Sequence, residues 1–140
     1  MFETFEHKAD MGIRGSGKTL AGAFTECAKA MFSVMIDLKS IKAKNNIEFK
    51  VEAADQEQLL IKFLNELLYL KDTKEMFFSE FKVSKIYRKK ETWFLEGRAK
   101  GEKIDPKSLA FKTEVKAATY SGLKIIKERG KFIAQCIVDV

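Results

Sequence analysis

The sequence predicts an α+β protein, two helices packed on a largely antiparallel β-sheet, and three observations carry that expectation. Leu20, Phe24, Cys27, Ala28, Met31 and Met35 recur at spacings of three and four, one apolar stripe of a helix. Leu59, Leu60, Phe63, Leu64, Leu67 and Leu68 form a second and wider apolar face; Asp55 stands before it as a cap, with Gln58 in capping-box position. Beyond Lys71 no helical period returns. The remaining connections, Arg88 to Glu91, Gly101 to Pro106, Ser121-Gly122 and Glu128 to Gly130, suit hairpins and are too short for a parallel crossover, which takes a dozen or more residues.

In chain order, residues 2–6 alternate as a short strand, and Met11 to Gly15 reads as a second strand ending at the glycines. Thr19 caps the first helix. Lys39 to Asn46, with its charges and its Asn-Asn pair, reads as a loop. Ile47, Phe49, Val51 and Ala53 alternate with Glu48, Lys50 and Glu52, a half-buried strand. After the second helix, Phe77 to Tyr87, Thr92 to Lys100, Leu109 to Tyr120, Leu123 to Lys127 and Lys131 to Val140 all read as strands.

A length of 140 residues accommodates a single domain, 1–140, and 46% hydrophobic residues with 12 Phe and one Pro describe a folded chain. Cys27 and Cys136 lie inside apolar runs without C-x-x-C spacing, so they read as reduced core residues and favour a cytoplasmic location. No run approaches the roughly 20 apolar residues of a membrane span, and the first residues carry acids, so neither export nor anchoring is expected. The net charge of +6 mixes 26 basic with 20 acidic residues, which by itself points only weakly to nucleic acid.

Gly12-Ile13-Arg14-Gly15-Ser16-Gly17-Lys18-Thr19 matches the phosphate-loop pattern G-x-x-x-x-G-K-[ST] in full. Such a loop needs a buried apolar strand before it and a parallel sheet around it. His7-Lys8-Ala9-Asp10 precedes it instead, and hairpin-joined strands fill the second half of the chain. Gly12, Gly17, Lys18 and Thr19 therefore read as a coincidental match: the glycines make the turn from strand to helix, Lys18 is solvated and Thr19 caps.

Asp139 ends the apolar stretch Phe132 to Val138, and periodicity cannot show whether it meets Asp10 in space. Lys112, Glu114, Lys116 and Tyr120 alternate with apolar positions and read as cross-strand charges on a solvated face, with a partner-facing patch as the other reading. Lys82, Lys85, Arg88, Lys89 and Lys90 gather around one hairpin near Tyr87 and Trp93, a loose indication of an RNA-facing edge. No Ser/His/Asp or Cys/His arrangement supports nucleophilic catalysis.

Several blocks taken together resemble the archease family. They are Glu6-His7-Lys8-Ala9-Asp10 with Gly12-Ile13-Arg14-Gly15, Gly17-Lys18-Thr19-Leu20, and Leu64-Asn65-Glu66-Leu67-Leu68-Tyr69-Leu70. Gly101-Glu102, Asp105-Pro106, Glu114 to Tyr120 and Val138-Asp139-Val140 continue the match in the family's order. The resemblance implies a small α+β protein that is not an enzyme but activates an RtcB-type tRNA-splicing RNA ligase. It would promote guanylylation of the ligase's histidine by GTP, permit multiple turnover and broaden nucleotide use to ATP, so that tRNA and nucleotide are met through the ligase. It also implies a divalent cation held by Asp10, Asp139 and a main-chain oxygen of Val140. Oxygen-only ligation suits Ca²⁺ or Mg²⁺, and also Mn²⁺. His7, Glu114, Lys116 and Tyr120 are the expected supporting or partner-facing residues. Leu109 and Ser121 stand where the family commonly has His, leaving His7 the sole histidine.

Two rivals remain at this stage. One is an RNA-binding or chaperone-like adaptor of tRNA-modifying enzymes, which would use Arg88, Lys89 and Lys90. The other is a minimal phosphate-loop nucleotide-binding protein, which would need Lys18.

Overall fold

The computed structural model describes residues 1–104 and 111–140. Phe2–His7 (β1) and Asp10–Gly17 (β2) form a hairpin across Lys8-Ala9, with Lys8 in the left-handed region at φ 54°. Thr19 is extended and its Oγ1 accepts the Gly22 N–H at 2.9 Å, which starts helix Leu20–Met35 (α1). A single 3₁₀ turn, Leu38–Ser40, leads to Asn45–Ala53 (β3). Asp55 Oδ1 accepts the Gln58 N–H at 2.8 Å and opens Gln56–Lys74 (α2), which Glu75 ends in a left-handed conformation, φ 54°.

Met76–Lys89 (β4) and Thr92–Lys103 (β5) then form a long hairpin. Ala117–Ala118 (β6), Lys124–Glu128 (β7) and Lys131–Asp139 (β8) complete the described elements.

Every strand pairing is antiparallel, as expected, but the strands divide into two sheets. The larger runs β1-β2-β8-β6, with β7 also paired to β8; the smaller runs β3-β5-β4. Both helices touch both sheets. α1 packs on β1, β2 and β8 and also on β4, while α2 packs on β3, β4 and β5 and also on β6 and β7. The apolar helix faces read from sequence therefore serve two sheets. Phe24 stacks on Phe63 at 6.1 Å, joining the two helices, and Phe32 meets Phe78 at 5.7 Å and Phe81 at 5.0 Å on the smaller sheet. Cys27 and Cys136 are buried in this core as free thiols.

Gly15 lets α1 lie close on β2: a Cβ there would come within 2.2 Å of the Cys27 nitrogen and 2.4 Å of the Ala23 carbonyl oxygen. The second strand thus runs through the glycines to Gly17 instead of turning at them.

The expected strand Leu109 to Tyr120 is the main departure. Leu109 and Ala110 lie outside the described residues, as does the Asp105-Pro106 pair, and only Ala117 and Ala118 join a ladder. Phe111 makes one isolated bridge with Ile36, and Phe111 and Val115 pack on the core with Lys112 and Glu114 exposed. The alternation is kept only in part, since Thr113 is exposed and Ala118 is buried, and the backbone changes partner along the way: Lys112 N–H bonds Met35 O and Lys116 N–H bonds Asp139 O, both at 2.7 Å. With no single neighbouring strand there is no continuous ladder, and the charges are not cross-strand pairs. The stretch read as a loop, Lys39 to Asn46, holds the end of the 3₁₀ turn and the first residues of β3.

Candidate functional site

Three strand pairings converge at one end of the larger sheet. β1 sets His7 opposite Asp10, β8 sets Val138 opposite Met11, and β6 sets Ala117 opposite Asp139. Continuing the β2–β8 register by one residue brings Asp10 and Asp139 opposite each other, so His7, Asp10, Asp139 and Ala117 form one row across four strands. Directly opposed residues of antiparallel strands share a face, with Cβ atoms about 5 Å apart. Ile13 on β2 and Cys136 and Val138 on β8 are buried towards the helices. Alternation therefore turns Asp10 and Asp139 to the outer face, where Asp139 is exposed and Asp10 partly so.

The row is held from several sides. Lys116 N–H donates to Asp139 O, and Thr119 donates to Ile137 O from both N–H (3.0 Å) and Oγ1 (2.7 Å). Asn65 on α2 grips the next residue, accepting Ala118 N–H at Oδ1 and donating from Nδ2 to Ala118 O. On the same outer face the Phe5 ring covers Gly12, where a Cβ would sit 2.1 Å from the ring. Arg14 lies 4.7 Å over that ring, donating from Nε to Gln135 Oε1 at 2.8 Å and from Nη1 to Glu3 Oε1 at 3.0 Å.

The donor chemistry of the row fits a hard divalent cation. Two carboxylates set directly opposite each other repel unless a cation lies between them, and the Val140 main chain adds a further oxygen beside Asp139. Among the described residues no group of three or more His, Cys, Asp and Glu side chains could hold a metal. The donor set that the resemblance implies, these two carboxylates and a main-chain oxygen, is smaller than such a group.

The supporting residues expected from sequence separate. His7 and Lys116 flank the row, His7 by its register with Asp10 and Lys116 by its bond to Asp139. Tyr120 is 59% exposed and shares a shallow groove with Tyr69 and Asn65 beside α2. Glu114 lines a different cavity, of about 580 Å³, with Lys71, Phe77 and Phe111. Ser121 N–H donates to Thr119 Oγ1, while Leu109 lies outside the described residues.

Gly12 to Gly17 lie inside β2: Gly12 to Gly15 pair with β1 on one edge and β8 on the other, Ser16 N–H bonds Met1 O, and Ser16 and Gly17 continue the β8 pairing. Their N–H groups serve two ladders and cannot converge on a phosphate. Lys18 is exposed and Thr19 Oγ1 is taken by Gly22, so the phosphate-loop pattern is a strand that runs into a capped helix.

Sequence reasoning missed the pinning role of Asn65 and the tethered Arg14. The one available signal for Asn65 was an amide beside the apolar face of the second helix; nothing local marks its partner, Ala118.

A small α+β protein with two helices set between two antiparallel sheets and opposed carboxylates at one sheet end is the class that fold and site define. No helix among the described residues is long and apolar enough to cross a membrane. Residues 2–140 match the archease protein family (MTH1598/TM1083), and the chain belongs to that family. It is 45% identical to the protein archease of Pyrococcus furiosus over 140 residues, covering 99% of this chain and 98% of that one. It is 42% identical to that of Sulfurisphaera tokodaii, with the same coverage. The solution structure of protein 1598 from Methanobacterium thermoautotrophicum superposes with a TM-score of 0.84 at 34% identity, covering 99% of this chain and 98% of that chain. The crystal structure of an archease from Thermotoga maritima, named a possible chaperone, shares the fold with a TM-score of 0.53 at 18% identity, covering 99% and 96%.

Proposed function

We propose that this chain activates an RtcB-type RNA ligase, promoting guanylylation of the ligase's histidine and multiple turnover, from a divalent cation held by Asp10 and Asp139. The observation that carries this is the β2–β8 register, which sets two acids from opposite ends of the chain side by side on an exposed sheet end.

The chain's own contribution is placement. Asp10 and Asp139 sit on paired strands of a hydrogen-bonded sheet, so their spacing survives contact with a partner. Asp139 is further steadied through Lys116, and Arg14 is held by Glu3, Gln135 and Phe5 on the same face. His7 lines the outer side of the row and meets the ligase first on that side. A cation bound there supplies charge neutralisation and orientation for triphosphate oxygens, the chief requirements of nucleotidyl transfer. The covalent step belongs to the ligase, whose histidine forms the bond to phosphorus as pyrophosphate leaves. This protein acts as a cofactor protein, reaching tRNA and nucleotide through the ligase in the cytoplasm.

The name given to the Thermotoga relative raises a chaperone reading. Capture of unfolded chains calls for a broad apolar patch. The large apolar side chains exposed among the described residues are Met1 and Phe2 at the chain start, Tyr69 and Tyr120 in their shared shallow groove, and Ile126 on β7, three small groups and not one broad patch.

Multiple-turnover RNA ligation by a cognate RtcB-type ligase tests the proposal, with the ligase alone, with this protein, and with its Asp10→Ala and Asp139→Ala forms. Stimulation by the wild type that is lost in both folded variants is the expected result. Stimulation that survives both changes removes the carboxylate mechanism, and none at all removes the activator assignment.

A further inference from the structure

The outer face of the smaller sheet carries a second arrangement, independent of the ligase reading. Leu95 and Ala99 on β5 and Phe81 and Val83 on β4 point into the core, which turns Phe94 and Arg98 on β5 and Lys82 on β4 outward; a register shift between Val83 and Lys85 then sets Ile86 opposite the buried Leu95 and turns Tyr87 outward as well. Phe94 stands opposite Tyr87, and the two rings stack, with centroids 5.3 Å apart and planes at 19°. Lys50 Nζ lies 5.0 Å over Phe94 and Lys85 Nζ 5.7 Å over Tyr87. Tyr87 Oη donates to Glu96 Oε2 at 2.8 Å, which tethers its ring, and Lys85 approaches the same oxygen at 3.9 Å. Each half-buried ring therefore has the end of a flexible lysine over it.

Cations continue along the same strands. Lys82 lies opposite Arg98, and these two with Lys100, Lys29, Ser79 and Glu80 line a cleft of about 380 Å³ at the β4 edge. Among the described residues Lys82, Arg98 and Lys100 take part in no salt bridge. Arg98 and Phe94 are four residues apart on one strand, about 13 Å. Acids share this face: Glu48 stands opposite Arg98 and Glu52 opposite Phe94 from β3, Glu80 stands opposite Lys100 on β4, and Glu96 lies between Phe94 and Arg98, where it is engaged by Tyr87.

Stacked rings with displaceable caps beside free cations match a strand that offers base faces and phosphates in alternation. An acidic peptide would use the cations and leave the rings idle; a duplex would hide its base faces. We propose that this face binds single-stranded RNA, with bases stacking on Phe94 and Tyr87 and phosphates lying on Lys82, Arg98 and Lys100. On binding, Lys50 and Lys85 swing from the rings to adjacent phosphates. The basic hairpin at Arg88, Lys89 and Lys90 extends the track. Trp93, which sequence proximity favours, is excluded from the face because it packs against the core.

Fluorescence anisotropy of a labelled oligouridylate, titrated with the full-length protein at several salt concentrations, tests this. Phe94→Leu and Tyr87→Leu should each weaken binding about tenfold, the effect of losing one stacked base. Phe94→Trp and Tyr87→Phe, which keep a ring, should bind nearly as wild type. Lys82→Gln and Arg98→Gln should each lower the slope of log affinity against log salt by about 0.7. Thermal unfolding of each variant separates loss of binding from loss of fold, and the ring-retaining pair keeps the test decisive if a Leu variant does not fold. Absence of binding at low salt overturns the proposal. Equal affinity for an RNA duplex, or affinity unchanged in folded Leu variants, removes base stacking. Displacement of the oligonucleotide by polyglutamate with the same dependence on the cations alone assigns the face to an acidic protein instead.

Discussion

Asn65 on α2 holds Ala118 by both of its amide atoms, accepting the Ala118 N–H at 2.8 Å and donating to the Ala118 carbonyl at 3.2 Å. One side chain thus takes the place of a strand neighbour for β6, and β6 in turn flanks Asp139. Asn65→Leu leaves both backbone groups of a buried residue without a partner. It should cost about 2 kcal/mol, seen as a lower denaturant midpoint at unchanged slope. A midpoint within experimental error of wild type would show that water replaces the amide.

Gly15 and Lys18 belong to the same eight-residue pattern and should respond in opposite ways. A Cβ at Gly15 collides with the α1 backbone rather than with a flexible side chain, so Gly15→Ala should cost about 3 kcal/mol or more and lower the melting temperature. Lys18 is exposed, and Lys18→Ala should shift stability by less than about 0.5 kcal/mol. Loss of measurable ATP or GTP binding in Lys18→Ala, against clear binding by the wild type, would restore the phosphate-loop reading.

The opposed carboxylates should make cation binding visible in stability. Without metal, Asp10→Asn relieves a like-charge cross-strand pair and should raise stability by about 0.5 kcal/mol. With millimolar Ca²⁺ or Mn²⁺ the order reverses, because only the wild type gains the linkage term. Differential scanning fluorimetry with chelator and with each cation reads both effects. A wild-type melting temperature unmoved by any divalent cation would remove the two-carboxylate site.

Burial pushes the Cys136 thiol up to about 12, only partly offset by its hydrogen bond with the Thr119 backbone. Burial also raises Cys27 well above its usual value, and the nearby Cys136 adds to the shift. Thiolate is the reactive form, so neither cysteine should react with iodoacetamide at pH 8 in the native protein, and both should in denaturant. Native labelling faster than global unfolding would show that the core opens locally between α1 and β8.

The helices were legible because their signals are local. The stripe from Leu20 to Met35, the wider face from Leu59 to Leu68 and the caps Thr19 and Asp55 each depend on residues within a turn of one another. Hairpins at Lys90-Glu91 and Arg129-Gly130 were legible for the same reason, whereas Ser121-Gly122 joins β6 to β7, which both pair with β8 and not with each other. Leu109 to Tyr120 misled because alternation reports which side chains enter a core, whereas a strand also needs one neighbour to bond along its length. Tyr87 and Trp93 looked like partners by proximity, but the pleat sends Trp93 inward and brings Phe94 to Tyr87.

The sequence by itself determined the helices, most of the strands, the antiparallel hairpins and membership of the archease family, since composition, periodicity and motif order are properties of the chain. The tertiary structure alone decided that the strands form two sheets with the helices between them, that Asp10 meets Asp139, and that Asn65 holds Ala118. Those relationships join residues far apart in the chain. Their pairing is set by which faces must be buried together and which register satisfies every backbone group, and no local pattern encodes that choice.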